Sequence, residues 1–356
     1  MVMLSEMTRL SAKVLTYAGA VPTFTESSSP ELQDLLSTVR ETVFLPAHLS
    51  KPHQAIIFGA RHRKVLEDDP VTVEISGEDF RLKHIDRTKD QSGTVEGLLK
   101  LVSLMKEKKD WDNLPIFLEG LKIAGRKLKP RYWEKLVRKA GQADQQNTIL
   151  ECARRASRTG FVLKDLNLVR EVMWWTQHKA LSAGWTAQST KKALTMAEQI
   201  ADLLEDKKHC GGTFLSASNP RARPEVVGVL LQLAAAHAKL SNGKDDDGKV
   251  EIYSRRLLGT LARKANLREG LPEGRELWTS NALLCNITPI VYGMRVAAEI
   301  LGPESEVAKQ LKEQEPALAA IAAREREKII AEEPEKESSK RAGVWNYNLL
   351  FGSQEA

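Results

Sequence analysis

The sequence predicts a mainly α fold: a helix–turn–helix repeat solenoid (an α-α superhelix) preceded by a small N-terminal β-hairpin. Three observations predict it. Apolar residues recur at three- and four-residue spacing through most of residues 94–333, the period of a helix with one buried face. Two segments end alike, Lys122-Ile-Ala-Gly125-Arg-Lys-Leu128-Lys-Pro130 and Arg158-Thr-Gly160-Phe-Val-Leu163-Lys-Asp165, with Gly125 and Gly160 standing 35 residues apart. Sliding by that offset sets Leu98 on Trp133, Leu101 on Leu136, Val102 on Val137 and Leu114 on Ile149. A period in the thirties with helical spacing inside each copy is the pattern of stacked helix pairs.

In chain order, residues 1–29 read either as a targeting segment or as a flexible N-terminus. Arg9 and Lys13 lie among spaced apolar residues, with Glu6 the only acid before Glu26. That is the amphipathic, basic, acid-poor pattern of a mitochondrial presequence; an ordinary first helix is the alternative. Residues 30–93 hold a helix over 31–43. An irregular stretch follows between Pro46 and Pro52, since proline disfavours helix in the residue before it. After a basic loop, Arg61 to Lys64, alternation in 71–75 and 80–84 around Ser76-Gly77-Glu78-Asp79 predicts the hairpin.

The repeats occupy 94–207. The first copy is a helix over 94–108, a turn and cap at 110–113, and a helix beginning at Pro115 and ending at Gly125. The second is 132–140, a turn at 141–144, then 145–159 closed by Gly160; a third follows as 166–182, Gly184 and 186–207. Residues 208–333 form a C-terminal helical region: a loop over 208–223, helices over 224–240, 250–265 and 275–301, and a charged helix over 304–333. Residues 334–356 are a linker and an aromatic tail, Val344 to Phe351, which either docks on the domain or anchors a partner.

The totals permit a sizeable core and exclude little else: 356 residues, 42% hydrophobic and 28% charged, with Lys+Arg 53 against Asp+Glu 47 for a net +6. The run Val226–Ala238 is too short to span a bilayer. Cys152, Cys210 and Cys285 are far apart and form no pair at metal spacing, so they read as small buried hydrophobes. Ser241 to Gly248 imitates a calcium loop, but its terminal ligand positions fall on Gly243 and Ser254, which lack carboxylates. There is no GxSxG, HExxH, phosphate-binding or dinucleotide-binding motif. The reading is therefore non-enzymatic, with no cofactor, no metal and no catalytic residue.

The charge is uneven. Lys122, Arg126, Lys127, Lys129, Arg131, Lys135, Arg138 and Lys139 crowd into residues 122–139 against Glu134 alone, and Arg154, Arg155 and Arg158 follow. In a stacked array such charges either merge into a stripe for RNA phosphates or form a solvated face. Tyr132 and Trp133 lie inside the cluster as base-stacking candidates, with a core position as the alternative for Trp133.

The glycine-to-glycine period, the helix pairs and the Gly-x-x-Leu-Lys endings at Gly125 and Gly160 resemble pentatricopeptide repeats, over about 94–185. That resemblance implies organellar RNA binding in transcript stability, processing or translation, or a place in a mitochondrial ribosome. It also places the base-reading positions at Glu134 and Val169, and valine offers a base edge no hydrogen bond. The function expected is a mitochondrial-matrix helical-repeat protein (otherwise cytoplasmic) binding RNA or the mitochondrial ribosome. The alternative is a protein–protein adaptor on tetratricopeptide-like repeats, engaging its partner through 304–333 and 344–351.

Overall fold

The computed structural model describes residues 20–352 except 92, 213, 214, 217, 264, 265, 272, 335, 336, 338 and 339. The stretch read as a presequence lies, up to residue 19, outside the described residues. The chain divides into two units, Met1–Tyr132 with Arg155–Phe161, and Trp133–Arg154 with Val162–Ala356.

Unit 1 is made of short helices because proline and small polar residues punctuate its sequence. Ser29 caps α1 (Pro30–Val39), accepting a hydrogen bond from the Leu32 amide, and Leu32, Leu36 and Val39 form its buried stripe. A π-helical turn, Arg40–Phe44, runs on into α2 (Leu45–His48), and Ser50 caps α3 (Lys51–Phe58). The stretch expected to be irregular is thus mostly helical. Pro46 and Pro52 occupy first turns, where an amide hydrogen has no helical partner to lose. The Arg61–Lys64 cluster likewise lies in a 3₁₀ turn, Ala60–His62, and in α4 (Arg63–Asp68).

The hairpin pairs β1 (Thr72–Ile75) with β2 (Glu78–Arg81), Val73 opposite Phe80. Its turn is tighter than the alternation pattern predicts. Ser76 and Gly77 alone bridge the strands, at φ 53° and 85°, as a two-residue hairpin turn requires. Buried Phe80 lies beneath the Arg40 guanidinium, 5.1 Å from its centroid, and Arg40 also pairs with Glu78 at 2.6 Å.

Helices α5 (Thr94–Leu104), α6 (Lys108–Trp111) and α7 (Leu114–Ile123) complete the core with Leu98, Leu101, Trp111, Leu114 and Phe117. Phe117 meets Phe44 edge-on at 5.7 Å, and Gly120 lies so near the Phe44 ring that a Cβ there would stand 2.5 Å from it. The residues expected to be a simple turn, 110–113, instead fasten the N-terminal segment. Asp110, fully buried, accepts hydrogen bonds from the Ser28 amide (2.7 Å) and hydroxyl (2.6 Å) and from the amides of Lys106 and Glu107. Asn113 exchanges three with Thr25, at 2.8, 3.0 and 3.1 Å.

Helix α8 (Pro130–Gln142) begins in unit 1 and continues into unit 2. It is followed by α9 (Gln146–Arg154), the single turn α10 (Ala156–Thr159) of unit 1, α11 (Leu166–Ser182) and α12 (Ala187–Glu205). Three offset pairs keep equivalent environments: Leu101 and Leu136, Val102 and Val137, and Leu114 and Ile149 are all buried, and Gly125 and Gly160 both adopt left-handed φ, 69° and 76°. The pair Leu98 and Trp133 does not, since Leu98 is buried and Trp133 half-buried. Gly141 is not the turn expected of it. It lies within α8 against Trp175, and Asp144 makes the turn at φ 57°.

The remainder of unit 2 is a layered helical bundle. Helix α13 (Pro224–Ser241) is buried on nearly every side, which its alanine-rich sequence allows, between α12, α14 (Lys249–Leu261) and α15 (Glu276–Leu301). Helix α15 is long and apolar enough to cross a membrane, but most of that stretch is buried among its neighbours, α16 (Glu306–Glu332) and α17 (Ala342–Phe351). The aromatic tail is thus a helix that docks. Val344, Leu350 and Phe351 join a core with Leu283, Leu284, Ile287 and Val291, and Tyr292 meets Phe351 at 6.0 Å. The acidic run that imitates a calcium loop serves as a helix cap. Asp245 accepts the Val250 and Glu251 amides at 2.9 Å each, at the start of α14.

Candidate nucleic-acid interface

Helix α8 shows most directly how the predicted cations are used. Leu136, Val137, Ala140 and Gly141 form its buried side. At 100° per residue that puts Lys135, Arg138 and Lys139 together on the opposite, exposed side, with Arg131 a turn earlier. Lys135 and Lys139 have no ion pair among the described residues. Arg138 does. Its Nε and Nη2 donate to the two oxygens of Glu171 at 3.1 and 2.9 Å, an α11 acid that answers its charge. Glu134, partly buried between them, has its carboxyl pushed up by desolvation and by the negative charges of Asp165 and Glu171, against the pull of Arg138. Farther along unit 2, Arg154 reaches Gln199 at 3.1 Å and Glu151 at 3.6 Å.

In unit 1 the cations divide the same way. Lys122 donates to the Ser157 carbonyl at 2.5 Å, closing the end of α10, and Arg126 donates to Gln91 at 2.7 Å. Glu119, an α7 acid lying outside the cluster of cations in sequence, takes Arg158 at 2.7 Å and Arg155 at 3.9 Å. Lys127 and Lys129, between α7 and α8, are exposed and have no ion pair among the described residues. The Tyr132 ring is covered by the Arg131 guanidinium at 4.7 Å, and its hydroxyl accepts from Arg131 at 2.7 Å. Trp133 is half-buried. Lys127, Lys129, Lys135 and Lys139 are thus exposed with no ion pair among the described residues; Arg138, Arg154, Arg155 and Arg158 face acids, and Lys122, Arg126 and Arg131 have neutral partners.

Sequence reasoning missed the strongest polar cluster in unit 2. Arg223, fully buried, and Arg170 both donate to Glu225 Oε1, at 3.0 and 2.9 Å, and Arg223 also reaches Glu269 at 2.6 Å and the Asn266 carbonyl at 2.7 Å. Its members are scattered from 170 to 269, so no local spacing marks it. The cluster holds α11, α13 and the 266–270 turn together. His209 is likewise structural. Nδ1 accepts the Leu163 amide at 3.0 Å, Nε2 faces the Ala153 carbonyl at 3.1 Å, and burial holds its pKa below the usual range. Among the described residues no group of His, Cys, Asp and Glu is placed to hold a metal.

Fold and charge together define a helical scaffold protein that presents lysines on outer faces. A family model described as mitochondrial ribosomal protein mS27 matches residues 9–348, nearly the whole chain, and the chain belongs to that family. This overturns the pentatricopeptide assignment. The shared 35-residue period reflects helix pairs of similar length, and its base-reading positions do not serve: Val169 is wholly buried and Glu134 is partly buried beside Arg138. Small ribosomal subunit protein mS27 of Neurospora crassa is 37% identical over 192 residues, 53% of this chain and 48% of the relative. The chain thus spans about half the length of the curated relative it matches. The family is one of mitochondrial ribosomal proteins, structural components and not enzymes.

Proposed function

We propose that the chain is a non-catalytic structural subunit of the small subunit of the mitochondrial ribosome, acting in the matrix in translation. Its exposed lysines would contact ribosomal RNA phosphates without reading base sequence. Family membership supports the ribosomal part. The single observation that supports the RNA part is the face of α8, where Lys135 and Lys139 project opposite the buried Leu136, Val137 and Ala140 with no acid paired to them among the described residues. Phosphate contacts of this kind give affinity and position but no sequence information. The adaptor reading loses its tail anchor, because α17 is part of the core of unit 2.

Gradient sedimentation of a tagged, full-length chain from mitochondria tests the proposal. Co-migration with the small ribosomal subunit, resistant to moderate salt, is the result expected. A chain that stays at the top of the gradient overturns it.

A further inference from the structure

Helices α9, α11 and α12 of unit 2 border an open groove of about 670 Å³. Its buried lining is apolar, from Ala193 and Met196, and its exposed lining carries Lys191 and Lys192 with Ala183, Asn147 and Gln188, while Lys179 and Ser189 are half-buried. Among the described residues no carboxylate lines it. Two other polar depressions differ in that respect: one places Glu205 among Arg221 and Arg256, and the other mixes Glu67, Asp86 and Asp90 with its cations.

The local sequence explains the arrangement. Thr186 and Ser189 cap α12 reciprocally, which fixes its first turn. From there Gln188, Lys191, Lys192, Thr195 and Gln199 follow helical spacing along one face. Lys191 and Lys192 are exposed and have no acid partner among the described residues. Lys179 is held at the rim by Asp144 at 2.7 Å and Gln146 at 3.3 Å. Arg154, one of the cations predicted to bind RNA, reaches this edge through Gln199.

We propose that this groove is a track for a single-stranded segment of ribosomal RNA. Lys191 and Lys192 would take phosphates, and Asn147 and Gln188 would take ribose hydroxyls or base edges. The proposal rests on the ribosomal reading above. Amide side chains favour RNA over an acidic peptide, because each both donates and accepts, as 2′-hydroxyls and base edges do. The groove also widens the RNA-facing surface beyond α8, to a part of unit 2 whose lysines are too sparse in sequence to stand out.

The test places the photocrosslinker benzoylphenylalanine at position 188 of the full-length chain, in mitochondria, followed by isolation of the small subunit and irradiation. An adduct with ribosomal RNA is expected. Its yield should fall several-fold in Lys191→Gln/Lys192→Gln and be retained in Lys191→Arg/Lys192→Arg, with the chain still sedimenting with the subunit. A protein adduct, no adduct, or a yield indifferent to the glutamine pair overturns the groove assignment while leaving the ribosomal reading intact. Absence of the unaltered chain from the small subunit overturns both.

Discussion

Arg138 and Glu171 face each other as a two-pronged pair, with both carboxylate oxygens of the acid engaged at 3.1 and 2.9 Å. Of the three cations on the outer side of α8 within unit 2, Arg138 is thus the one whose charge is already answered. Its role is to tie α8 to α11, and Lys135 and Lys139 are left to meet an anion.

That division predicts opposite phenotypes. Lys135→Gln/Lys139→Gln should lower the slope of log affinity against log salt for single-stranded RNA by about 0.7 for each phosphate no longer neutralised, with stability changed by less than about 0.5 kcal/mol. Arg138→Gln should leave the slope nearly unchanged and lower the melting temperature. Salt-titrated binding and thermal unfolding, run on the same preparations, decide it; a full slope in the lysine variant contradicts the assignment.

Glu225 neutralises two buried arginines. Glu225→Ala should cost about 3–5 kcal/mol, because it leaves the buried Arg170 guanidinium without its carboxylate, while Arg223 keeps Glu269. Urea unfolding of the full chain measures this. A cost under about 1 kcal/mol shows that water reaches Arg170 and Arg223.

At Gly141 an added Cβ would come within 2.0 Å of the Trp175 ring, a rigid neighbour that cannot swing aside as a lysine tip does. Gly141→Ala should destabilise by about 1–3 kcal/mol or more through overpacking, although alanine ordinarily favours a helix. A melting temperature at or above that of the parent refutes the close packing.

Asp110 supplies a pH signature. Desolvation by burial raises its carboxyl, but hydrogen bonds from the Ser28 hydroxyl and from the amides of Glu107, Ser28 and Lys106 outweigh that, and the net shift is downward. A group depressed in the folded state contributes stability that is present above its unfolded value, about 3.9, and is lost as pH falls through the folded value. Unfolding free energy should therefore decline below about pH 4, and Asp110→Asn should flatten that decline while costing about 2–4 kcal/mol at neutral pH through the lost charge-assisted bonds. Melts from pH 3 to 7 check both parts.

Cys285 is half-buried, and its thiol is pushed up to about 12, by desolvation first and then by the negative charge of Glu171. Thiolate is the reactive form, so alkylation at pH 8.5 should be at least about 100-fold slower in the native chain than in urea. Equal rates, read by mass spectrometry of the residue 285 peptide, contradict this upward shift.

Much of the helical frame was legible because its signals are local. Leu166–Ser182 follows from apolar spacing, and Gly125, Gly160 and Gly184, read as helix ends, each adopt left-handed φ. What sequence could not show depends on partners far along the chain. Asp110 and Asn113 read as turn residues until Ser28 and Thr25 close on them from 82 and 88 residues away. The cations were found, but not which ones were free, because Glu119 and Glu171 reach them from other helices. The proline-rich stretch departs from expectation for another reason: Pro52 falls in the first turn of α3, and Pro46 directly follows a π-helical turn that runs on into α2, so neither interrupts a helix.

The docking of α17 makes the fold sensitive to truncation. Val344, Leu350 and Phe351 cover an apolar surface that Leu283, Leu284, Ile287 and Val291 already display once α15 is made. A chain cut short before residue 342 would carry that surface uncovered, the kind of exposed patch that chaperones and proteases recognise. Docking of α17 thereby makes this core of unit 2 depend on residues 342–351, far along the chain from the surface they cover.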